Sequence, residues 1–516
     1  MITVPIGSRP ESKHLSYWKP WHAISKLNEC HFVVALCCLA AIRVFVYSAA
    51  LPFFNNVDEG AHFDLVLKYS HGIVPRKLDL VSVEALNYML LYGTPEYLLK
   101  SQQVQSLSPN WAASEQRKTA ILARGLRKQI VNIESSQAPL YYAVAALWLH
   151  LGRLFGLPGG FLLYWIRFLN VFLAAALVWL GYAAARLVFP ERRFIRLGVP
   201  VLLAVLPQSI FYAIQNDVLS PLCFGMAFIA LVRWMRADAP SAQLGLCTGL
   251  SVAAVCLVKV SNLPLVAVAA VVVLIQSWRL ARAGSLRAAG PALTLLVISA
   301  ALPIGCWAAW NLHNFGDLTG SGPKIEVLGW TQKPVSEWLD HPIFTLRGSA
   351  DFWSELMATF WRGELMWGMQ AIALPAADAF YWASSAFLLG AAMVGLFPRF
   401  APKSRPQREA LWLGFFAFIA AVGYLAVLSL AFDYGNCFYP SRAHPYFTSG
   451  RLIAGVLIPF LLVYLYGLER AVAWLHREWL SWCVLAGMVA VMASSQIALA
   501  RVVFPSRWNW FHLVAG

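Results

Sequence analysis

Apolar runs of membrane-spanning length, separated by short basic or polar stretches, set the pattern of the chain from His31 onward. A helix that crosses a bilayer needs ~20 mostly apolar residues. His31 to Phe54 is the first stretch that qualifies. Arg43 interrupts it and is expected to face protein or water, because a charge in lipid is costly. A long amphiphilic stretch then runs from Asn55 to about Gly160. Further spans are predicted near 161–187, 197–214, 218–235, 243–258, 263–279, 291–312, 379–397, 411–432, 450–468 and 479–500. The stretch "PLYYAVAALWLHLGRLF" (139–155) is ambiguous, and charge bias arbitrates. If it crosses, the Arg-rich loops alternate between sides. If it lies along the surface or only dips in, every basic loop falls on one side, as cytoplasmic loops do. The prediction is therefore an all-α polytopic membrane protein of about eleven transmembrane helices, N-terminus inside and C-terminus outside.

Composition agrees with this pattern. The chain has 516 residues, 59% hydrophobic and only 13% charged, against about 25% charged in soluble domains. Mean hydropathy is +0.61. The formal charge of +15 resides largely in Arg clusters between apolar runs, which suits cytoplasmic loops and argues against nucleic acid as a partner. The nine cysteines are scattered without a CxxC, as small buried apolar residues would be. Residues 1–30 are polar and basic and read as a cytoplasmic tail before a retained first helix. The orientation leaves outside a large first loop (55–160), "QND" at 215–217, the loop 313–378 and "DYGNCFYPSRAHPYFTSG" at 433–450. "KVSN" at 259–262 ends an outward-going span.

Candidate chemistry gathers in those outer segments. In "NNVDEGAHFDLV", Asp58 and Glu59 are adjacent and His62 lies one helical turn beyond Asp58, on the same face. Carboxylates serve as general bases or bind divalent cations. Asp58, Glu59 and His62 would also suit zinc, although an adjacent pair is awkward for one ion. The same acids would suit a solvated helix start. Asn216 and Asp217 in "QND" are site candidates and also good helix caps. Lys259 sits within an apolar run, where an ammonium marks a partner, a pathway or an anionic ligand unless it snorkels to the interface. Arg451, at the mouth of a late span, suits a bidentate phosphate grip or an interfacial anchor, and His444 and Tyr446 lie just upstream. Gln137 and Pro139 in "ESSQAPLYY" make a sharp entry to the ambiguous stretch.

Taken in order, these features resemble the GT-C superfamily of integral-membrane glycosyltransferases, with protein O-mannosyltransferases, lipid A aminoarabinose transferases and a bacterial branch as relatives. The residues that carry the resemblance are Asp58-Glu59 opening the first outer loop, "QAPLYY" from Gln137, "LPQSIFYAIQND" ending in Asp217, and a late "GRL" at 450–452. Ala138 stands where a proline is usual and Leu452 where a tyrosine is usual. The likeness covers roughly residues 1–265 and the late motif. It divides the chain into the tail, a GT-C-like catalytic module (31–265) and a variable transmembrane module (266–516). It implies a polyprenyl-phosphate sugar donor, an envelope glycan, lipid or protein acceptor, and an active site on the periplasmic or extracellular face of a bacterial inner membrane. Asp58, in the acidic pair with Glu59, would take the acceptor proton, with inversion at the anomeric carbon. Glu59 and Asp217, with His62, Asn216 and Gln137, would orient the acceptor. Asp58, Glu59 and Asp217 could hold a divalent cation (Mg, Mn or Ca). Arg451 and Lys259, with His444 and Tyr446, would bind the donor phosphate.

Other readings predict other patterns. A transporter or flippase of lipid-linked sugars needs charges near mid-bilayer and related halves with broken helices. An O-antigen ligase or polymerase lacks the acidic pair in its first outer loop.

Overall fold

In the computed structural model, residues 19–513 are described except 56–57, 126, 128, 398, 400, 401, 403, 438 and 474–476. Most of the expected tail, residues 1–18, therefore lies outside the described residues. The helices in chain order are α1 (Lys19–Ala50), α2 (Glu59–Ser70), α3 (Val83–Tyr92), α4 (Ser101–Val104), α5 (Glu115–Gly125), α6 (Leu140–Leu154), α7 (Gly159–Val188), α8 (Arg193–Val205) and α9 (Ser220–Arg236). They continue with α10 (Ala242–Val258), α11 (Leu263–Arg282), α12 (Leu286–Phe315), α13 (Gly322–Val327), α14 (Leu346–Arg362), α15 (Pro375–Leu396), α16 (Arg405–Ala431), α17 (Leu457–Ala473) and α18 (Glu478–Val503). The protein is an all-α, multi-pass membrane protein. Among the described residues nine helical stretches are long and apolar enough to cross a membrane.

Two of the predicted spans fall short of that length. The stretch 197–214 yields only the 13-residue α8, which stops before Pro207. Proline cannot donate the next helical hydrogen bond, and it pushes its predecessor, Leu206, out of helical geometry. The stretch 243–258 forms α10, 17 residues that end where Lys259 turns extended. Irregular backbone at such depth is tolerated only inside protein or beside a cavity. The ambiguous stretch 139–155 becomes α6. Its 15 residues give about 22 Å of helix, less than the ~30 Å hydrocarbon thickness. α6 buries Tyr141, Tyr142 and Leu149 against α2 and α7 and turns Leu147 and Leu154 outward.

Arg43 finds protein, as predicted. Its Nε donates to the carbonyl of Ala204 at 2.9 Å and its Nη1 to the Tyr212 hydroxyl. The last carbonyls of a helix lack partners within the helix and carry partial negative charge. Arg43 thus caps α8 where proline truncates it. The bundle centre is the stretch Gly450–Ala473, 89% buried in its apolar window, whereas α12 lies at the periphery with 17%. α10 packs on α12 through Gly245 and Gly249, where an added Cβ would come within 2.0 Å of the Ala292 carbonyl and 2.3 Å of the Leu296 carbonyl respectively. Two glycines four apart allow this backbone approach between membrane helices. Among the described residues strands pair in two short ribbons: β1 (Thr331–Gln332) runs antiparallel to β4 (Phe432–Asp433), and β2 (Met366–Trp367) to β3 (Gln370–Ala371).

Candidate active site

The adjacent acids Asp58 and Glu59 part company in the folded chain. Glu59 points into the bundle, where Arg167 of α7 grips it with Nε to Oε1 at 2.7 Å and Nη2 to Oε2 at 2.6 Å, both side chains fully buried. The backbone N–H groups of Ile214 and Asn55 also donate to it. Arg167 additionally donates to the carbonyls of Ser48, in the last turn of α1, and of Leu51 and Pro52 just beyond it. Glu59 therefore ties the first loop to the bundle, and the acceptor-orienting and metal-holding positions expected of it are not where the fold puts it.

Asp58 opens α2 in the left-handed conformation, φ 61° and ψ 15°. That geometry costs a residue with a Cβ about 1 kcal/mol or more, asparagine and aspartate tolerating it best. Its side chain makes no cap hydrogen bond to α2. The carboxylate instead accepts from Arg451 Nη2 at 2.9 Å. A helix-cap role is thus not what holds Asp58 in place.

Arg451 stands among three carboxylates. Besides Asp58, its Nη1 lies 3.6 Å from Asp217 Oδ2 and its Nε 3.6 Å from Glu364 Oε2. Lys259 Nζ donates to Asp217 Oδ1 at 2.6 Å, and the Ser449 hydroxyl donates to Glu364 Oε1 at 2.5 Å. Each contributor sits where an α-helix yields to a tighter 3-10 turn or to a loop. Asp217 lies in the turn Asn216–Leu219, Lys259 precedes Val260–Asn262, and Arg451 lies in Gly450–Val456. Gly363, with φ 89°, turns the chain from α14 to Glu364. Asp58 is the most open member, 34% exposed against 16% for Arg451 and 1% for Asp217, so it marks the mouth of the cluster.

A second network adjoins the first. Asn216 Nδ2 donates to Gln137 Oε1 at 3.0 Å, Gln137 Nε2 to Glu134 Oε2 at 2.5 Å, and Lys324 Nζ to Glu134 Oε1 at 2.5 Å. Burial alone would raise the Glu134 pKa, but the Lys324 ammonium outweighs it and holds the carboxyl well below its usual range. His62 is buried with Nδ1 2.7 Å from the Tyr142 hydroxyl. Loss of solvation lowers its pKa to about 4 against the pull of Glu134 and Asp58, so it is neutral at pH 7. Burial likewise raises the Glu364 carboxyl above its ordinary value, with Arg451 opposing.

Asp58, Asp217, Lys259 and Arg451 thus converge from distant parts of the chain, and Asn216, Gln137 and His62 line the adjoining network. His444 does not join them: its Nε2 lies 2.8 Å from Glu355. Tyr446 packs its ring against His444 and His341. Sequence reasoning missed Glu134, Lys324, Glu364 and Arg167. Arg167 was findable, since it interrupts an apolar span as Arg43 does. Glu134 lies three residues before Gln137, whereas Glu364 has no signal beyond being one acid in an aromatic-rich loop.

A family model described as "Predicted membrane protein (DUF2142)" matches residues 42–436. The chain belongs to this family. The DUF2142 match takes in Asp58, Glu134, Asp217, Lys259, Lys324 and Glu364 and stops short of Arg451. No curated protein matches the chain. Among solved structures, the Archaeoglobus fulgidus oligosaccharyltransferase AglB in complex with an inhibitory peptide and a dolichol-phosphate aligns with a TM-score of 0.42 and 11% identity, over 92% of this chain and 56% of that one. The oligosaccharyltransferase of the same organism in complex with Zn and sulfate gives 0.41 and 13%, over 91% and 53%. The DUF2142 chain spans about half the length of these structures.

Asp58, Glu59 and Asp217 were the residues named to hold a divalent cation if the site takes one. Here Glu59 has given both oxygens to Arg167, and the Arg451 guanidinium faces both Asp58 and Asp217. Among the described residues no three His, Cys, Asp or Glu side chains are placed to share one ion.

Proposed function

We propose that the protein is an inverting membrane glycosyltransferase. It moves a sugar from a polyprenyl-phosphate-linked donor to a hydroxyl of an envelope glycan, lipid or protein, on the outer face of a bacterial inner membrane. What supports this reading is the convergence of Asp58, Asp217, Lys259 and Arg451 on one largely buried cluster whose open end is Asp58. A hydroxyl is a weak nucleophile, and a positioned base is worth about 10²–10⁴-fold. Asp58 takes the proton of the acceptor hydroxyl. The acceptor oxygen bonds to the anomeric carbon as the bond from that carbon to the phosphate oxygen breaks, and the phosphate leaves with the electron pair. Arg451, and behind it Lys259, stabilise the charge gathering on the phosphate, as fixed cations do in a dry site. Asp217 positions the two cations. Asn216, Gln137 and Glu134, bonded to one another, form a polar network that braces Asp217 from behind and sets the acceptor side of the site. A lipid-linked donor fits an enzyme this apolar, because its tail stays in the bilayer while phosphate and sugar enter the cluster.

The test is sugar transfer in detergent from a polyprenyl-phosphate donor, wild type against Asp58→Asn. Rate should fall by about 10²-fold or more with expression unchanged. Transfer at the wild-type rate would remove Asp58 as base.

A further inference from the structure

The guanidinium of Arg451 is poorly used as it stands. Among the described residues only Nη2 makes a well-formed hydrogen bond, to Asp58 at 2.9 Å, while Nη1 and Nε sit 3.6 Å from their carboxylates. Nε and Asp217 Oδ2 are buried with no hydrogen-bond partner among those residues. Polar groups buried in that state are rare and costly. The candidate base Asp58 is meanwhile engaged by the very cation that should serve the leaving group. The Nη2 N–H that serves Asp58 is not available to a phosphate until Asp58 yields it.

We propose that the Asp58–Arg451 pair is a latch released by donor phosphate, so that the base becomes free only once the donor is seated. This rests on the glycosyl-transfer reading. The phosphate arrives beside Asp58, the exposed member of the cluster, and competes for Arg451 as a second anion. An arginine grips phosphate through two parallel N–H groups, a mode its present contacts leave unfilled. Glu364 and Asp217 lie within 3.6 Å of the guanidinium and keep it in the cluster as it turns. Asp58 then loses its hydrogen-bond donor and faces the incoming hydroxyl. Arg451 acts as a positioning residue toward Asp58, and the order of binding is donor first, acceptor second.

Carboxyl footprinting reads this directly. The purified full chain is treated with a carbodiimide and an amine, and labelling of Asp58 is followed by mass spectrometry against Glu115, whose side chain is 87% exposed. The probes are polyprenyl phosphate, the matching polyprenol and inorganic phosphate, with lipid binding counted separately by native mass spectrometry. Polyprenyl phosphate should raise Asp58 labelling several-fold and polyprenol should leave it unchanged. An equal rise with inorganic phosphate would overturn the requirement for a lipid donor. Arg451→Gln should label strongly with or without lipid, which a merely structural arginine would not produce, and the wild-type arms decide even if that variant fails to fold. Bound polyprenyl phosphate with unchanged or lowered Asp58 labelling overturns the latch and leaves glycosyl transfer standing. Failure of polyprenyl phosphate to bind overturns both.

Discussion

Two neighbouring carboxylates carry opposite duties here, and substitution separates them. Glu59 and Arg167 are each fully buried and bonded to one another, so removing one charge strands the other. Breaking a buried pair in this way costs about 3–5 kcal/mol. Glu59→Gln should therefore lower the melting temperature and yield of the detergent-purified protein. Asp58→Asn should melt as wild type does, because Asp58 is partly exposed and caps nothing. Equal melting curves for Glu59→Gln and wild type would refute the anchoring role. At this scale the sequence displayed the residue types but not their direction. "DE" announces two acids, while the left-handed turn at Asp58 that aims one outward and the other inward depends on contacts from α7 and the turn Gly450–Val456.

Helices in this molecule are most informative where they stop. Apolar periodicity made the long spans legible, since length and composition alone define them. The same pattern overextended 197–214 across Pro207, where apolar residues continue but the helix does not. Segments of that kind are apolar because protein surrounds them, and hydropathy cannot tell protein from lipid. The contact between α10 and α12 belongs to the same scale. Gly249→Leu would drive a side chain into the Leu296 carbonyl, already 2.3 Å from an added Cβ, so the helices must part. The expected result is a variant of lower thermal stability whose α10–α12 cysteine crosslinks disappear. Retained crosslinking at the wild-type rate would show that close approach is dispensable.

For the whole molecule, the reading requires a single orientation. Leu346, 90% exposed at the first residue of α14, should lie outside, and Ala283, between α11 and α12, inside. In a variant with its cysteines replaced, a membrane-impermeant maleimide should label Leu346→Cys in intact cells and Ala283→Cys only after permeabilisation. The reverse pattern would put the candidate site in the cytosol, away from any donor facing outward. The sequence foretold the all-helical class and much of the site because its charges are few, so each isolated one is conspicuous. Glu364 and Lys324 stayed hidden because they lie in the long polar loop 313–378, where charges are ordinary.

The pairing of Thr331 with Asp433 and Gln332 with Phe432 joins two loops about a hundred residues apart in the chain, and Lys333 adds a backbone bond to Ala431. Lys324 hangs from one of these loops and Ser449 follows the other, so the two polar networks are suspended from a common stitch. Whatever shifts one loop must tow its companion, and the two polar networks would register a guest together.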